Sequence, residues 1–214
     1  MQPDYKLLSL HGNVTLPAGG TQKVVLTDSI YITAHGLEAD NGIKEYYQDT
    51  ECALLHYAQE HYVFWHEQYP NLAPEKITPG FFGENISTLG LTEKNVCIGD
   101  IFHLGAVELQ VSWGREACEK IAGKLNDPLA PEIMHQQSRN GWFYRVLQSG
   151  EIHPGDKLIL KARPKPKWTL SRVQHALWGE ILLPEELEAL NKMPELAASW
   201  RKLAGKRLEQ YATL

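Results

Sequence analysis

Of the three cysteines in the chain, Cys118 has the neighbours that point to chemistry. It lies in Arg115-Glu116-Ala117-Cys118-Glu119-Lys120, with a guanidinium three residues before it and an ammonium two after it. Cationic neighbours and the start of a helical turn both favour thiolate over thiol, and the thiolate is the form that attacks electrophiles or ligates a soft metal. The competing reading is a small buried hydrophobe, because free cysteine is among the most buried residue types. As a nucleophile the thiol would need a base, and only the fold could bring His103 or His135 near it. Cys52 and Cys97 form no Cys-x-x-Cys pair and are too scattered for a disulfide framework, a usage that fits a reducing compartment.

The elements around Cys118 must hold it in place. The alternating run Val107, Leu109, Val111 marks a half-buried strand. With Ile98 to Leu104 across Gly105-Ala106 it reads as a hairpin that delivers Gly114 and the cysteine segment. Upstream, Tyr5 to Leu10, Gln22 to Leu26 and Ser29 to Thr33 read as the first strands of a β-rich domain. Gly36 to Tyr47 and Gly80 to Gly99 read as loops, the second with Gly83 and Asn85 able to hold a tight turn against a ligand or a neighbouring strand. Cys52 to Gln68 is free of Gly and Pro and reads as a helix buried on much of its surface. On such a helix His56 and Glu60 share a face, but the spacing misses the His-Glu-x-x-His zinc pattern. Beyond Asp127-Pro128, Pro131 to Ser138 is a short helix, and Gly141 to Leu147 and Leu158 to Leu160 are strands.

Arg163-Pro164-Lys165-Pro166-Lys167 then divides the chain, since alternating prolines cannot continue a strand ladder and the cations keep the segment solvated. Three short helices follow, at Leu170 to Trp178, Pro184 to Asn191 and Pro194 to Tyr211. Pro184 and Pro194 suit first-turn positions, and Glu185, Glu186 and Glu195 complement the helix dipoles. Leu196, Trp200 and Leu203 give the last helix one apolar stripe, enough for a satellite core. The expected organisation is a β domain over 1–162, a linker over 163–168 and a helical domain over 169–214.

At 214 residues the chain supports one full core with a small appended domain. A formal charge of -5 gives no basic stripe, which argues against a nucleic-acid partner. No apolar run is long enough to span a bilayer, and Met1-Gln2-Pro3-Asp4-Tyr5-Lys6 lacks the layout of a signal peptide. A cytoplasmic protein without a membrane partner is therefore expected.

A series of short motifs goes further. In order they are Gly36-Leu37-Glu38-Ala39-Asp40, Ala53-Leu54-Leu55-His56-Tyr57 with Glu60-His61-Tyr62, Phe82-Gly83-Glu84-Asn85-Ile86, and Gly99-Asp100. Gln110-Val111-Ser112 then leads to Arg115 and Cys118, followed by Gly141-Trp142 with Arg145-Val146-Leu147 and by Pro154-Gly155-Asp156. The series resembles the MOSC domain family, most closely its YiiM-like members, across nearly the whole first domain. The helical tail is similar to the 3-alpha extension of those proteins.

The resemblance implies a mainly β fold with α, a β-barrel-like domain followed by three helices. It implies a molybdenum cofactor with Cys118 as thiolate ligand to the metal, the pterin form being open and pyridoxal phosphate the alternative cofactor. The implied activity is that of an oxidoreductase that reduces N-hydroxylated small molecules, such as hydroxylamino-purines and amidoxime-type compounds. Electrons would come from a partner flavin or iron-sulfur protein. Arg115, Lys120 and Arg139 are the cations suited to the cofactor's phosphate, Arg by its planar fork and Lys as a point charge. Lys44, Asn85 and Ser112 are further cofactor-binding candidates. The helical tail is a candidate docking surface for the reductase partner or a homodimer contact.

The sequence departs from that family in two places. Relatives carry a Lys-x-x-His-Gly-Gly-Pro-Asp-Arg-type run ahead of Ala53; here Lys44 is followed by Glu45-Tyr46-Tyr47-Gln48-Asp49-Thr50-Glu51-Cys52. Without the glycines, histidine and arginine, that loop is poorer at holding phosphate. The usual proline before the cysteine is Ala117, which should loosen the turn. A second reading follows, a non-redox binding module of the same fold whose Tyr46 and Tyr47 line an altered pocket for another small ligand or a protein partner.

Overall fold

The computed structural model describes residues 3–15, 21–38, 49–72, 74–179 and 183–212. Its strands are β1 (Asp4–Thr15), β2 (Thr21–Val25), β3 (Ile30–Thr33), β4 (Gly36–Leu37), β5 (Leu54–His56), β6 (Ile86–Thr88), β7 (Ile101–Leu104), β8 (Val107–Gly114), β9 (Trp142–Gln148), β10 (Gly150–Ile152) and β11 (Lys157–Ala162). The helices are α1 (Glu60–Gln68), α2 (Glu119–Leu125), α3 (Ala130–Gln136), α4 (Leu170–Trp178), α5 (Pro184–Asn191) and α6 (Ala198–Tyr211). Among the described residues no helix is long and apolar enough to cross a membrane.

Neighbouring strands run β11-β7-β8-β9-β5-β6-β1, and β1 pairs back onto β11, so these strands close a barrel. Closure explains why β1 is long. Its residues Asp4 to Lys6 pair with β11, Leu7 to Leu10 with β6 and His11 to Thr15 with β2. A register shift between Leu7 and Ser9 accompanies the hand-over from one partner to the next, as a β-bulge does. The β8 alternation carries through, with Val107, Leu109 and Val111 buried against Phe102, Tyr144 and Leu158 in the barrel core.

The expected helix from Cys52 to Gln68 is wrong in its first half. Leu54 to His56 form β5, antiparallel to β9 and parallel to β6, and α1 starts only at Glu60. A strand covered on both faces shows no alternation, and Leu54 to Ala58 are all buried, so the run looked helical. His56 therefore shares no helix face with Glu60; its ring nitrogens lie 3.0 Å from the Tyr144 and Thr88 hydroxyls. The two segments read as loops also hold strands, β4 and β6, and β10 was not foreseen.

In the tail, α4 and α5 have the expected limits, but α6 begins at Ala198, leaving Pro194 and Glu195 in the preceding turn. The carboxylate that meets its first turn is instead distant in sequence, since the Ala198 N–H donates to Glu51 Oε2 at 2.9 Å. Leu196, Trp200 and Ala204 join one buried cluster with the barrel core, so the stripe makes no satellite core. The proline segment between the two parts is anchored. Arg163 grips buried Asp100 with both prongs, Nε to Oδ1 at 2.9 Å and Nη2 to Oδ2 at 2.7 Å.

Candidate active site

The barrel delivers the cysteine segment as the hairpin predicts. β8 ends at Gly114, the Arg115 N–H donates to the Gly141 carbonyl at 3.0 Å, and Cys118 is the N-cap residue of α2. The Cys118 backbone is extended there (φ -135°), and its side chain is exposed and makes no capping bond.

Beside this segment lies a cavity of about 1080 Å³. Arg115, Lys120, Ile121 and Lys124 line one wall, and Cys52, Ala53, Leu55 and Phe143 another. The turn Pro79 to Gly83 and the paired strands β1 and β2, through Asn13, Gln22 and Lys23, add to the lining, with Lys76, Leu37, Glu38 and Asn85 among the others. A second buried cluster, including Tyr57, Tyr62, Trp65, Phe82, Ile121 and Met134, packs α1, α2 and α3 behind the Phe82 side.

The cavity is electropositive in an acidic chain. Its lining carries Lys23, Lys76, Arg115, Lys120 and Lys124 against Glu38. Nη1 of Arg115 is buried and has no hydrogen-bond partner among the described residues. A buried guanidinium nitrogen without an acceptor is costly, and an anionic oxygen of a ligand would remove that cost. Gly83 lines the cavity at φ +87° with no atom within 4 Å of the position a Cβ would take, so the backbone there leaves room for a ligand. Phe81, Phe82 and Phe143 supply apolar surface beside the cations. This donor set fits a phosphate-bearing group with a flat apolar body, and so fits a phosphorylated pterin.

The other candidates divide. Arg115, Lys120 and Asn85 line the cavity, whereas the Cys118 sulfur, flanked in sequence by two of them, is not among its lining atoms. Asn85 works as a stitch, its Oδ1 accepting from the Leu55 N–H at 3.0 Å and its Nδ2 donating to the His11 carbonyl at 3.2 Å. Ser112 is buried, with Oγ 2.7 Å from the Glu51 carbonyl oxygen and 3.0 Å from that of Phe143, and it does not line this cavity. Arg139 is elsewhere. Its Nη1 lies 3.0 Å from His61 Nδ1, its guanidinium stacks 4.4 Å from the Phe64 ring, and it borders a separate cleft of about 90 Å³. Lys44, Tyr46 and Tyr47 lie outside the described residues. Of the two candidate bases, His103 pairs with Glu108 at 3.6 Å, and His135 Nε2 accepts the Ala117 N–H at 3.3 Å, next to the cysteine.

Some functional residues escaped the sequence. Lys23 comes from β2 and Lys76 from a short helical turn at Pro74–Lys76, both far from α2 in sequence and without a spacing signal, whereas Lys124 follows Lys120 by four residues and so shares its face of α2. In the sequence Cys52 is one of the scattered thiols, yet it lines the cavity. Burial, with Asp49 adding, pushes its thiol up to about 12, so it stays protonated at neutral pH. Glu84 is fully buried beneath the turn, taking hydrogen bonds on Oε1 from Tyr62 and from the Gly80 N–H at 2.6 Å. Burial raises its carboxyl above the ordinary value in spite of those bonds. Among the described residues no three His, Cys, Asp or Glu side chains gather to hold a metal ion.

Comparison with known proteins matches this architecture over both its parts. The MOSC domain model matches residues 25–159, and the YiiM-like, 3-alpha helix domain model matches residues 168–210. Protein YiiM of Escherichia coli (strain K12) is 31% identical over 186 residues, covering 86% of this chain and 82% of that protein. The crystal structure of YiiM from Escherichia coli aligns with a TM-score of 0.82 at 27% identity, over 98% of this chain and 94% of the other. The crystal structure of YiiM from Geobacillus stearothermophilus gives 0.79 at 31% identity, over 96% of this chain and 100% of the other. A Gibberella moniliformis protein named Reductase is 36% identical over 149 residues, 69% of this chain but 26% of that longer protein. The MOSC domain is associated with molybdenum-cofactor binding, and the family's members are often reductases that depend on that cofactor. With a closed barrel followed by the three-helix extension, this chain belongs to the MOSC domain family, in its YiiM-like group.

Proposed function

We propose that this protein is a molybdenum-cofactor-dependent reductase of N-hydroxylated small molecules, with Cys118 as the protein's ligand to the metal. The observation that carries the reading is the cation-lined cavity with the buried, unpaired Nη1 of Arg115, three residues from an exposed thiol. When bound, the cofactor supplies a soft metal, its own dithiolene sulfurs and the capacity to accept an oxygen atom. Arg115 offers the fork that orients a phosphate, while Lys120 and Lys124 add point charges from one face of α2. Phe81, Phe82 and Phe143 cover the apolar body and keep water from it. Cys118 gives the single sulfur ligand that the reading asks of the protein. The net change, R–NH–OH + 2 e⁻ + 2 H⁺ → R–NH₂ + H₂O, takes its electrons from a partner flavin or iron-sulfur protein.

One observation favours the second reading, a non-redox binding module: the Cys118 sulfur does not itself line the cavity. Metal analysis separates the two. After expression in a host that makes the cofactor, stoichiometric molybdenum is expected in the wild type and its loss in Cys118→Ala. No molybdenum in either protein turns the cavity into a site for another anion.

A further inference from the structure

The three-helix domain reaches the cysteine segment. Trp200 of α6 is 1% exposed, edge-on to Trp113 at 6.0 Å and to Trp178 at 4.9 Å. The end of β8 leaves room for it, because a Cβ on Gly114 would stand 2.7 Å from Trp200 Cη2. From this seat the indole Nε1–H donates to Glu116 Oε1 at 2.9 Å, two residues before Cys118. The residues on either side of Glu116 are also tied. The Arg115 N–H donates to the Gly141 carbonyl at 3.0 Å, and the Ala117 N–H donates to His135 Nε2 at 3.3 Å. Three consecutive residues ahead of the thiol are thus each held by a different element. The same helix grips the opposite wall, where the Ala198 N–H meets the Glu51 carboxylate next to Cys52.

We propose that Trp200 and Glu116 form a positioning pair through which the three-helix domain sets the place of Cys118 relative to the cavity. The indole is rigid, buried and packed between two other indoles, so a hydrogen bond from it fixes a direction, which a mobile surface donor would not do. Glu116 is the exposed member and follows the indole. Trp200 touches no reacting group and acts through the loop.

The importance of Cys118 rests on the function proposed above, but the contact can be tested without the cofactor. In full-length protein from a host that makes no molybdenum cofactor, alkylation of Cys118 by iodoacetamide is followed by peptide mass spectrometry. Trp200→Phe keeps an aromatic ring and loses the donor; Glu116→Ala loses the acceptor; Glu116→Gln loses the charge and keeps a carbonyl acceptor. The expected result is an alkylation rate about threefold or more above wild type for Trp200→Phe, and above Glu116→Gln for Glu116→Ala. The double variant Trp200→Phe/Glu116→Ala is expected to be no faster than the faster single, as for two partners of one interaction. A rate within twofold of its reference in either single variant, or factors that multiply in the double, overturns the proposal. Glu116 is exposed, so its two variants keep the test alive if Trp200→Phe fails to fold. Failure here leaves the metal-ligand reading intact, because molybdenum content in Cys118→Ala is measured separately.

Discussion

Arg115 shows what one side chain contributes. Its backbone is fixed by Gly141 and its Nη1 is buried without an acceptor among the described residues, so that nitrogen is already desolvated before a ligand arrives. Hydrogen bonds between charged groups are worth about 1.5–3 kcal/mol each, roughly ten- to a hundredfold in affinity. Arg115→Ala is therefore expected to weaken binding of inorganic pyrophosphate by about that factor in isothermal titration calorimetry, and Arg115→Lys to lose part of it, since lysine has no fork. Equal affinity in wild type and Arg115→Ala would remove this residue from the anion site. Arg115 was legible in the sequence because it sits beside Cys118, whereas Arg139 looked equivalent and is committed to His61 and Phe64. A lone cation in a sequence carries no record of its partner. Ala117 teaches the same lesson in reverse. Replacing a proline suggested a looser turn, but its free N–H makes a bond to His135 that proline lacks the donor to form.

At the scale of elements, the turns between strands decide where the site residues stand. Gly141 immediately precedes β9 at φ +78°, and a Cβ there would lie 2.4 Å from the His56 carbonyl oxygen. Its N–H donates to buried Glu93 at 2.6 Å and its carbonyl accepts from Arg115, so the turn joins the barrel interior to the cysteine segment. Gly83 has a similar φ but open space around it. Gly141→Ala should cost about 3 kcal/mol or more, from backbone strain plus a backbone clash. Gly83→Ala should cost only the strain, about 1–2 kcal/mol. Urea denaturation of the two variants checks the order, and equal losses would show that the close approach to His56 carries no weight. The proline segment is a second case, where Pro164, Pro166 and Lys167 are exposed as expected while Arg163 ties the segment to Asp100 of the barrel. Such pairing between residues 63 positions apart leaves no local pattern.

For the molecule as a whole, buried imidazoles set the response to acid. Burial lowers the His11 pKa to about 4, and holds His56 well below its ordinary value. The unfolded chain binds a proton at each near pH 6.5 while the fold resists it. Their contribution to stability is thus complete above about pH 6.5 and is lost as the pH falls toward about 4, by up to about 1.4 kcal/mol per histidine per pH unit. Chemical denaturation at a series of pH values should show this fall, and His11→Phe, which keeps a ring but cannot titrate, should make it shallower. Parallel curves for wild type and variant would assign the acid limb to other groups.

The sequence by itself determined the hairpin of β7 and β8, the start of a helix near Cys118, the helices α4 and α5, and the family to which the ordered motifs belong. All of these rest on short-range patterns, namely alternation, proline and glycine punctuation, and contiguous residue types. Only the tertiary structure decided that Leu54 to His56 form a strand, that Lys23, Lys76 and Lys124 gather with Arg115, and that Trp200 holds the segment leading to Cys118. Those facts arise when the barrel closes and brings distant residues into contact. Burial on both faces erases the period that a sequence shows, and Coulomb and hydrogen-bond partners are chosen by distance in space, which the order of residues along the chain does not encode.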